Sequence, residues 1–263
     1  MLPLRDFPDD VRRAVQGVLL DIDDTLSTDG RLTAAAYGAL ERLQAAGRRV
    51  VPVTGRPAGW CDHIARFWPV DAVVGENGAF CFRYDRDARR MRRVYHAPPD
   101  EIAANRVRLM AIGAEVCAAV PGAAIAADQA YRETDLAIDF CEDVPPLDRA
   151  AVAEIVRLME AAGLTAKVSS IHVNGWFGDY DKLGMIRRLF AEAFDVELDA
   201  AKDRYVYVGD SPNDQPAFAY FPHAVGVANV GAFAAELTDP PAYVTAAAAG
   251  AGFAELVDFL LRP

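Results

Sequence analysis

Lysine is almost missing from this chain. Lys167, Lys182 and Lys202 are its only three, and arginine supplies the other 24 of 27 basic residues. A lysine here is therefore not generic surface filler. Basic charge as a whole is in deficit: 38 acidic against 27 basic residues give a formal net charge of -11. A nucleic-acid binder needs a basic face, so no nucleic-acid partner is expected. An anionic ligand requires local positive charge, or a metal, to overcome the global field. Cysteine is also sparse. Cys61, Cys81, Cys117 and Cys141 lie far apart and form no CxxC pair, which argues against zinc or a disulfide framework and fits a reducing compartment. No apolar run approaches membrane-spanning length. Met1 to Val15 carries charges at Arg5, Asp6, Asp9, Asp10, Arg12 and Arg13 instead of an apolar core, unlike a signal peptide. The expectation is a cytoplasmic protein with no membrane partner; oligomeric state is not readable.

What is present is an ordinary globular composition, 52% hydrophobic over 263 residues, enough for one large core or two domains. The most informative stretch is Gly17-Val-Leu-Leu-Asp-Ile-Asp-Asp-Thr25. The apolar run Val18–Leu20 reads as a buried strand. It leads directly into carboxylates at Asp21, Asp23 and Asp24, and an unpaired carboxylate out of water is costly. These groups therefore belong at the strand end, with something cationic beside them. Two carboxylates around one hard cation is a usual way of holding Mg2+ where a substrate carries phosphate. On this stretch alone, an Asp-rich turn explains the pattern equally well.

The chain then alternates. Leu32–Ala46 reads as a helix capped by Thr33 and ended by Gly47. Arg49–Val53 is a strand closed by Thr54-Gly-Arg-Pro57, Ala58–Trp68 a helix, and Asp71–Val74 a strand ending in Gly75-Glu-Asn-Gly78. This predicts a parallel α/β sheet whose strands end on one ligand-binding edge. Phe80–Tyr84 and Met91–Tyr95 read as a hairpin. From Pro98 to Phe177 the pattern is helix-strand-strand twice, an α+β unit. Beyond Asp181 the α/β alternation resumes, with a buried strand Arg204–Val208 running into Gly209-Asp-Ser-Pro-Asn-Asp214. The fold expected is a Rossmann-like parallel-sheet core, 1–85 plus 180–263, interrupted by an inserted domain, 86–179.

Asp21 and Asp23, Thr54, Lys182, and Asp210 with Asp214 thus fall at element ends of one domain. Carboxylates bind Mg2+, and Mg2+ with a lysine binds a phosphoryl group. A threonine hydroxyl and the Gly55 amide can donate to its oxygens. In order and spacing these residues resemble the haloacid dehalogenase-like phosphohydrolase superfamily. Asp21-Ile-Asp-Asp-Thr25 matches its first motif, DxDx(T/V). Thr54 after Val50–Val53 matches the second, Lys182 the third, and Gly209-Asp-Ser-Pro-Asn-Asp214 the fourth, GDxxND. The insert resembles the C2 cap of the type IIB branch, which includes Cof-type, sucrose-phosphate, trehalose-phosphate and mannosyl-phosphoglycerate phosphatases and phosphomannomutases. Asp24 departs from the glycine many members carry.

The resemblance implies an Mg2+-dependent phosphatase acting on a small phosphorylated metabolite such as a sugar phosphate, through an aspartyl phosphate. Asp21 would be the nucleophile and Asp23 the general acid and base. Asp21, the Asp23 carbonyl and Asp210 would hold the metal, with Asp214 as a further ligand, and Thr54 and Lys182 would hold phosphoryl oxygens. Gly55, Arg56, Asn77 and Asn174 are candidates to touch substrate. A surface charge for Arg56 and a turn-organising role for Asn77 are the plainer alternatives. On the strand His172–Phe177, alternation puts His172, Asn174 and Trp176 on one face, which reads the substrate if it looks at the core. A phosphomutase, and less favourably a phosphoacceptor signalling module, use related residues. A mutase needs a second phosphate site, and no dense basic cluster advertises one.

Overall fold

The computed structural model describes residues 1–169 and 171–263. In chain order its elements are β1 (Leu2–Pro3), α1 (Asp9–Ala14), β2 (Gly17–Leu20), α2 (Ala34–Ala45), β3 (Arg49–Pro52), α3 (Ala58–Phe67), β4 (Val73–Gly75), β5 (Phe80–Asp85) and β6 (Arg90–Tyr95). β6 lies within the stretch expected as the insert, 86–179, but pairs with β5; the rest of that stretch holds α4 (Pro99–Ala119), β7 (Ala124–Ile125), β8 (Asp135–Asp139), α5 (Arg149–Ala161), β9 (Thr165–Val168) and β10 (His172–Trp176). Last come α6 (Lys182–Phe194), α7 (Leu198–Ala201), β11 (Tyr205–Gly209), α8 (Gln215–Tyr220), β12 (Val225–Gly226), β13 (Tyr243–Val244) and α9 (Ala249–Leu260). Local chemistry sets several boundaries. The Thr33 hydroxyl accepts from the Ala36 amide at 3.2 Å and starts α2. Asp181 does the same for α6, accepting from Gly184 at 2.7 Å.

The main sheet is parallel, in the order β1-β13-β12-β11-β2-β3. A bridge between Val53 and Val74 brings β4 beside β3, and β4, β5 and β6 pair antiparallel. Strand residues alternate between the faces. Val18, Leu20, Val50, Val206 and Val208 pack under α2, α3 and α9. Leu19, Val51, Tyr205 and Tyr207 pack under α6, α7 and α8. A sheet covered on both sides explains why its strands read as continuous apolar runs rather than alternating ones. Strand order reverses at β2, which lies between β3 and β11, so a crevice opens at the carboxyl ends of these three strands.

The insert forms a separate antiparallel sheet, β7-β8-β10-β9, over its own apolar cluster. Leu109 and Val116 come from α4, Leu136 and Ile138 from β8, Ile155 and Met159 from α5, and Val173 from β10. No helix among the described residues is long and apolar enough to cross a membrane.

One close approach ties the sheet edge to α6. Gly78 has φ +107°, and a Cβ there would lie 2.0 Å from the Asp181 carbonyl oxygen and 2.7 Å from the Lys182 nitrogen. Only glycine lets the turn after β4 rest on the start of the helix that presents Lys182. Gly78→Ala is therefore expected to cost at least about 2 kcal/mol, or about 4–8 °C in Tm for a chain of this size. Thermal unfolding that is unchanged would show that this contact does not constrain the fold.

Candidate active site

Two main-sheet strands, β2 and β11, and the helix α6 deliver carboxylates and a lysine to one point. The Asp21 amide donates to the Val208 carbonyl at 2.9 Å, extending the β2–β11 pairing by one rung. The chain then turns sharply, with the Leu26 and Ser27 amides both donating to the Ile22 carbonyl. Beyond β11, the Asp210 amide donates to Asp214 Oδ2 at 3.1 Å. Gly209 makes this possible, since a Cβ there would stand 2.3 Å from the same oxygen. The start of α6 supplies Lys182, whose Nζ lies 2.8 Å from Asp21 Oδ1 and 3.2 Å from Asp214 Oδ1.

Other side chains hold the oxygens of Asp210 and Asp214. Tyr207 donates its hydroxyl to Asp214 Oδ1 at 2.6 Å. Thr25 donates to Asp210 Oδ1 at 3.1 Å. Asn229 Nδ2 donates to Asp210 Oδ2 at 3.0 Å and to the Asp24 carbonyl at 2.9 Å. Asn229 and Tyr207 were not singled out from the sequence. Tyr207 lies in a buried strand, where an aromatic reads as core. Asn229 follows β12, far from any motif.

Carboxylate oxygens of Asp21, Asp210 and Asp214 lie within 4.8 Å of one another, and all three residues are buried. Burial holds the Asp21 carboxyl well above its ordinary range; Lys182 pulls it down, while Asp214 and Asp210 push it up again. Asp210 is pushed up to about 7, first by burial and then by Asp214. Burial disfavours the Lys182 ammonium, but Asp21 and Asp214 outweigh it and leave its pKa raised. One lysine thus faces three crowded carboxylates. A hard divalent cation would relieve the excess, and an all-oxygen donor set suits Mg2+.

Asp23 does not join that cluster through its side chain. Arg56 grips it instead: Nη2 donates to Oδ1 at 2.7 Å, and Nε lies 3.1 Å from both oxygens. Arg56 is buried to 9% exposure, so a surface charge is the wrong description. It stacks over Trp60 and reaches Glu142 of the insert at 3.5 Å. Glu142 in turn lies 2.9 Å from His172 Nε2. Burial, with Arg132 second, holds the His172 pKa below its ordinary value.

The Thr54 hydroxyl is fully buried and accepts from the Arg56 amide at 3.0 Å, which leaves its proton to donate elsewhere. The Asn77 amide donates to the Thr54 carbonyl at 3.1 Å. Asn77, at φ 57°, rests its side chain against Gly55. Asn174 donates to Asp135 Oδ2 at 3.0 Å. Asp21, Asp23, Gly55, Arg56, Asn77, His172, Asn174 and Asp210 all line one cavity of about 1200 Å³ between the strand ends and the insert. Trp176 does not line it; the indole stacks on Tyr180 with centroids 5.4 Å apart.

The insert is held at this edge by buried polar groups. Glu76 is fully buried and accepts from the amides of Ala58 at 2.9 Å, Glu133 at 3.0 Å and Thr134 at 2.6 Å, and from the Thr134 hydroxyl. Burial, reinforced by Asp135, raises its pKa to about 7. Arg132 Nη1 donates to the Gly55 carbonyl at 3.0 Å. Glu76 sits in a turn whose glycines were legible while its partners, 57 to 59 residues away, were not.

A buried carboxylate cluster with one lysine, at the switch point of a parallel α/β sheet, defines a phosphohydrolase-like site. Comparisons with known proteins agree. Residues 18–103 match the model of the haloacid dehalogenase-like hydrolase family. A protein of Haloarcula marismortui named phosphoglycolate phosphatase is 28% identical over 244 residues, covering 91% of this chain and 95% of its own. The crystal structure of Thermoplasma acidophilum 0175 superposes with a TM-score of 0.69 at 18% identity, covering 94% of this chain and 98% of that one. A sugar phosphatase of haloacid dehalogenase subclass IIB superposes with a TM-score of 0.61 at 15% identity, covering 93% and 98%. Over residues 18–103 this chain is similar to the haloacid dehalogenase-like hydrolases, and its whole fold is shared with the structures named.

The raised carboxyls make stability pH-dependent. Asp21 and Asp210 have folded pKa values above the ordinary 3.8. The folded chain therefore keeps protons that the unfolded chain has released between about pH 4 and pH 7, and this cluster's contribution to stability falls as pH rises through that window. Glu76 adds a decline of the same sign. Mg2+ favours the deprotonated cluster, so its stabilisation should be larger at about pH 8 than at about pH 5. At about 100-fold excess over its dissociation constant, Mg2+ should raise Tm by about 5–10 °C at the higher pH. Calorimetric scans with and without Mg2+ test this; an equal shift at both pH values would contradict it.

Proposed function

We propose that the protein is a Mg2+-dependent phosphatase of a small phosphorylated metabolite, working through an aspartyl phosphate at Asp21. The observation that carries this is the buried Asp21 carboxylate, held at one oxygen by Lys182 and bordering the large cavity. In this reading an Asp21 oxygen attacks phosphorus, the ester P–O bond breaks, and the leaving alkoxide takes a proton from Asp23. Water then attacks the phosphoryl group, Asp23 accepts its proton, and phosphate leaves Asp21. Lys182, the Thr54 hydroxyl and the Gly55 amide hold phosphoryl oxygens while charge moves among them. Arg56 orients the Asp23 carboxylate.

Asp21 and Asp210, with Asp214 and the Asp23 carbonyl, would hold the metal. When bound, Mg2+ neutralises the crowded carboxylates and the incoming phosphate. A sugar phosphate as substrate draws support from the subclass IIB sugar phosphatase with the same fold; the relative named phosphoglycolate phosphatase favours a smaller acid. Common to both is a phosphate monoester, and that is the substrate class proposed. A cytoplasmic setting is part of the proposal, supported by the free buried thiols of Cys61 and Cys81.

Phosphate release from a panel of monoesters, with Mg2+ and with chelator, tests the reaction. Asp23→Asn should cost about 10²–10⁴ in kcat, and Asp21→Asn should abolish release. Near-full activity in Asp23→Asn would remove it from the acid and base role.

A further inference from the structure

The cavity has two unlike walls. Strand ends of the main sheet contribute the carboxylates and Arg56. The insert contributes Phe140, Leu147, Val152, Val156, Val168 and Ile171. Val168 is 46% exposed, and the other five are half-buried. Val152 and Val156 are four apart on α5 and so share a face. With Phe140 and Leu147 they are backed by the insert's apolar cluster, so this wall is supported rather than a loose surface.

Of the insert's polar wall residues, Arg132, Asn174 and Ser169 are engaged within the protein, while His172 Nε2 makes no hydrogen bond and Arg149 is exposed. Arg132 is spent on Asp128, Asp135 and the Gly55 carbonyl. Asn174 gives its amide to Asp135. His172 lies against Glu142. Ser169 donates to the His172 carbonyl and accepts from the His172 amide.

A polyhydroxylated body placed against this wall would lose water from its hydroxyls and find few partners, and unpaired buried polar groups are costly. A hydrocarbon ring would lose nothing and cover six apolar side chains. We infer that the site selects a phosphate monoester whose body is apolar, an alkyl or aryl phosphate, over a sugar phosphate. This rests on the phosphatase reading for placing the phosphate at Asp21. It narrows the leaving group in a direction the relatives' names do not give.

The test is a matched pair, cyclohexylmethyl phosphate and glucose 6-phosphate. Both carry a primary phosphate on a six-membered ring, and they differ in hydroxyls and ring oxygen. Affinities are measured by calorimetry on Asp23→Asn with Mg2+, which keeps all three clustered carboxylates. The expected result is at least about tenfold tighter binding of the cyclohexyl ester. In a Val152→Asn, Val156→Asn double variant with unchanged Tm, the ratio should fall to within about twofold. Equal affinity, preference for the hexose, no binding of either, or a ratio unmoved by the double variant overturns the inference. Phosphate release by the wild-type protein is read separately. Preference without release would sink the phosphatase reading and leave the apolar selection standing.

Discussion

The site depends on one buried ammonium. Lys182 is 8% exposed and sits between Asp21 and Asp214, which come from different strands. Without it, three carboxylates would share a dry volume with no other ammonium or guanidinium among the described residues paired to them. Breaking a buried pair by removing one partner strands the other charge, at a typical cost of about 3–5 kcal/mol. Much of the local architecture serves this contact. Gly78 lets the turn after β4 lie on the first residues of α6, and Gly209 lets Asp214 fold back under Asp210. Tyr207 shares Asp214 Oδ1 with the lysine, and Asn229 holds Asp210 Oδ2.

Buried polar contacts fasten the insert to the main sheet at this edge. Glu76 collects amides from the start of β8, Arg132 reaches back to Gly55, and Arg56 bridges Asp23 and Glu142. Buried polar networks fix geometry because their bonds are directional and an unmatched group is costly. They set the spacing between the apolar wall of the insert and the carboxylates below it. The cavity is therefore a product of both units, with one end built on strand termini and the other on α5 and the strands around it.

Much of this was legible in the sequence, for identifiable reasons. Continuous apolar runs at Val18–Leu20 and Tyr205–Val208 marked strands covered on both faces, and carboxylates directly after them had to sit at strand ends. Thr33, Asp181 and the glycines punctuated the helices. The two-residue strand β1 carries too few residues for a periodic signal, and α1 and α7 are barely longer than one turn. The choice made by Asp23 was out of reach because it depends on Arg56, 33 residues away, approaching from the next strand end. Glu76 read as a turn residue because most of its partners lie in the insert. Alternation correctly grouped His172, Asn174 and Trp176, but only tertiary packing separates the first two, at the cavity, from an indole stacked on Tyr180.

The central claim is that Asp21 takes the phosphoryl group. Its most direct test is chemical trapping: acid-quench the protein during turnover of a good monoester, reduce acyl phosphate with tritiated borohydride, and map the label by peptide mass and sequencing. The account requires substrate-dependent tritium at position 21 and nowhere else. Label on another carboxylate, or steady turnover with no label at Asp21, would contradict it.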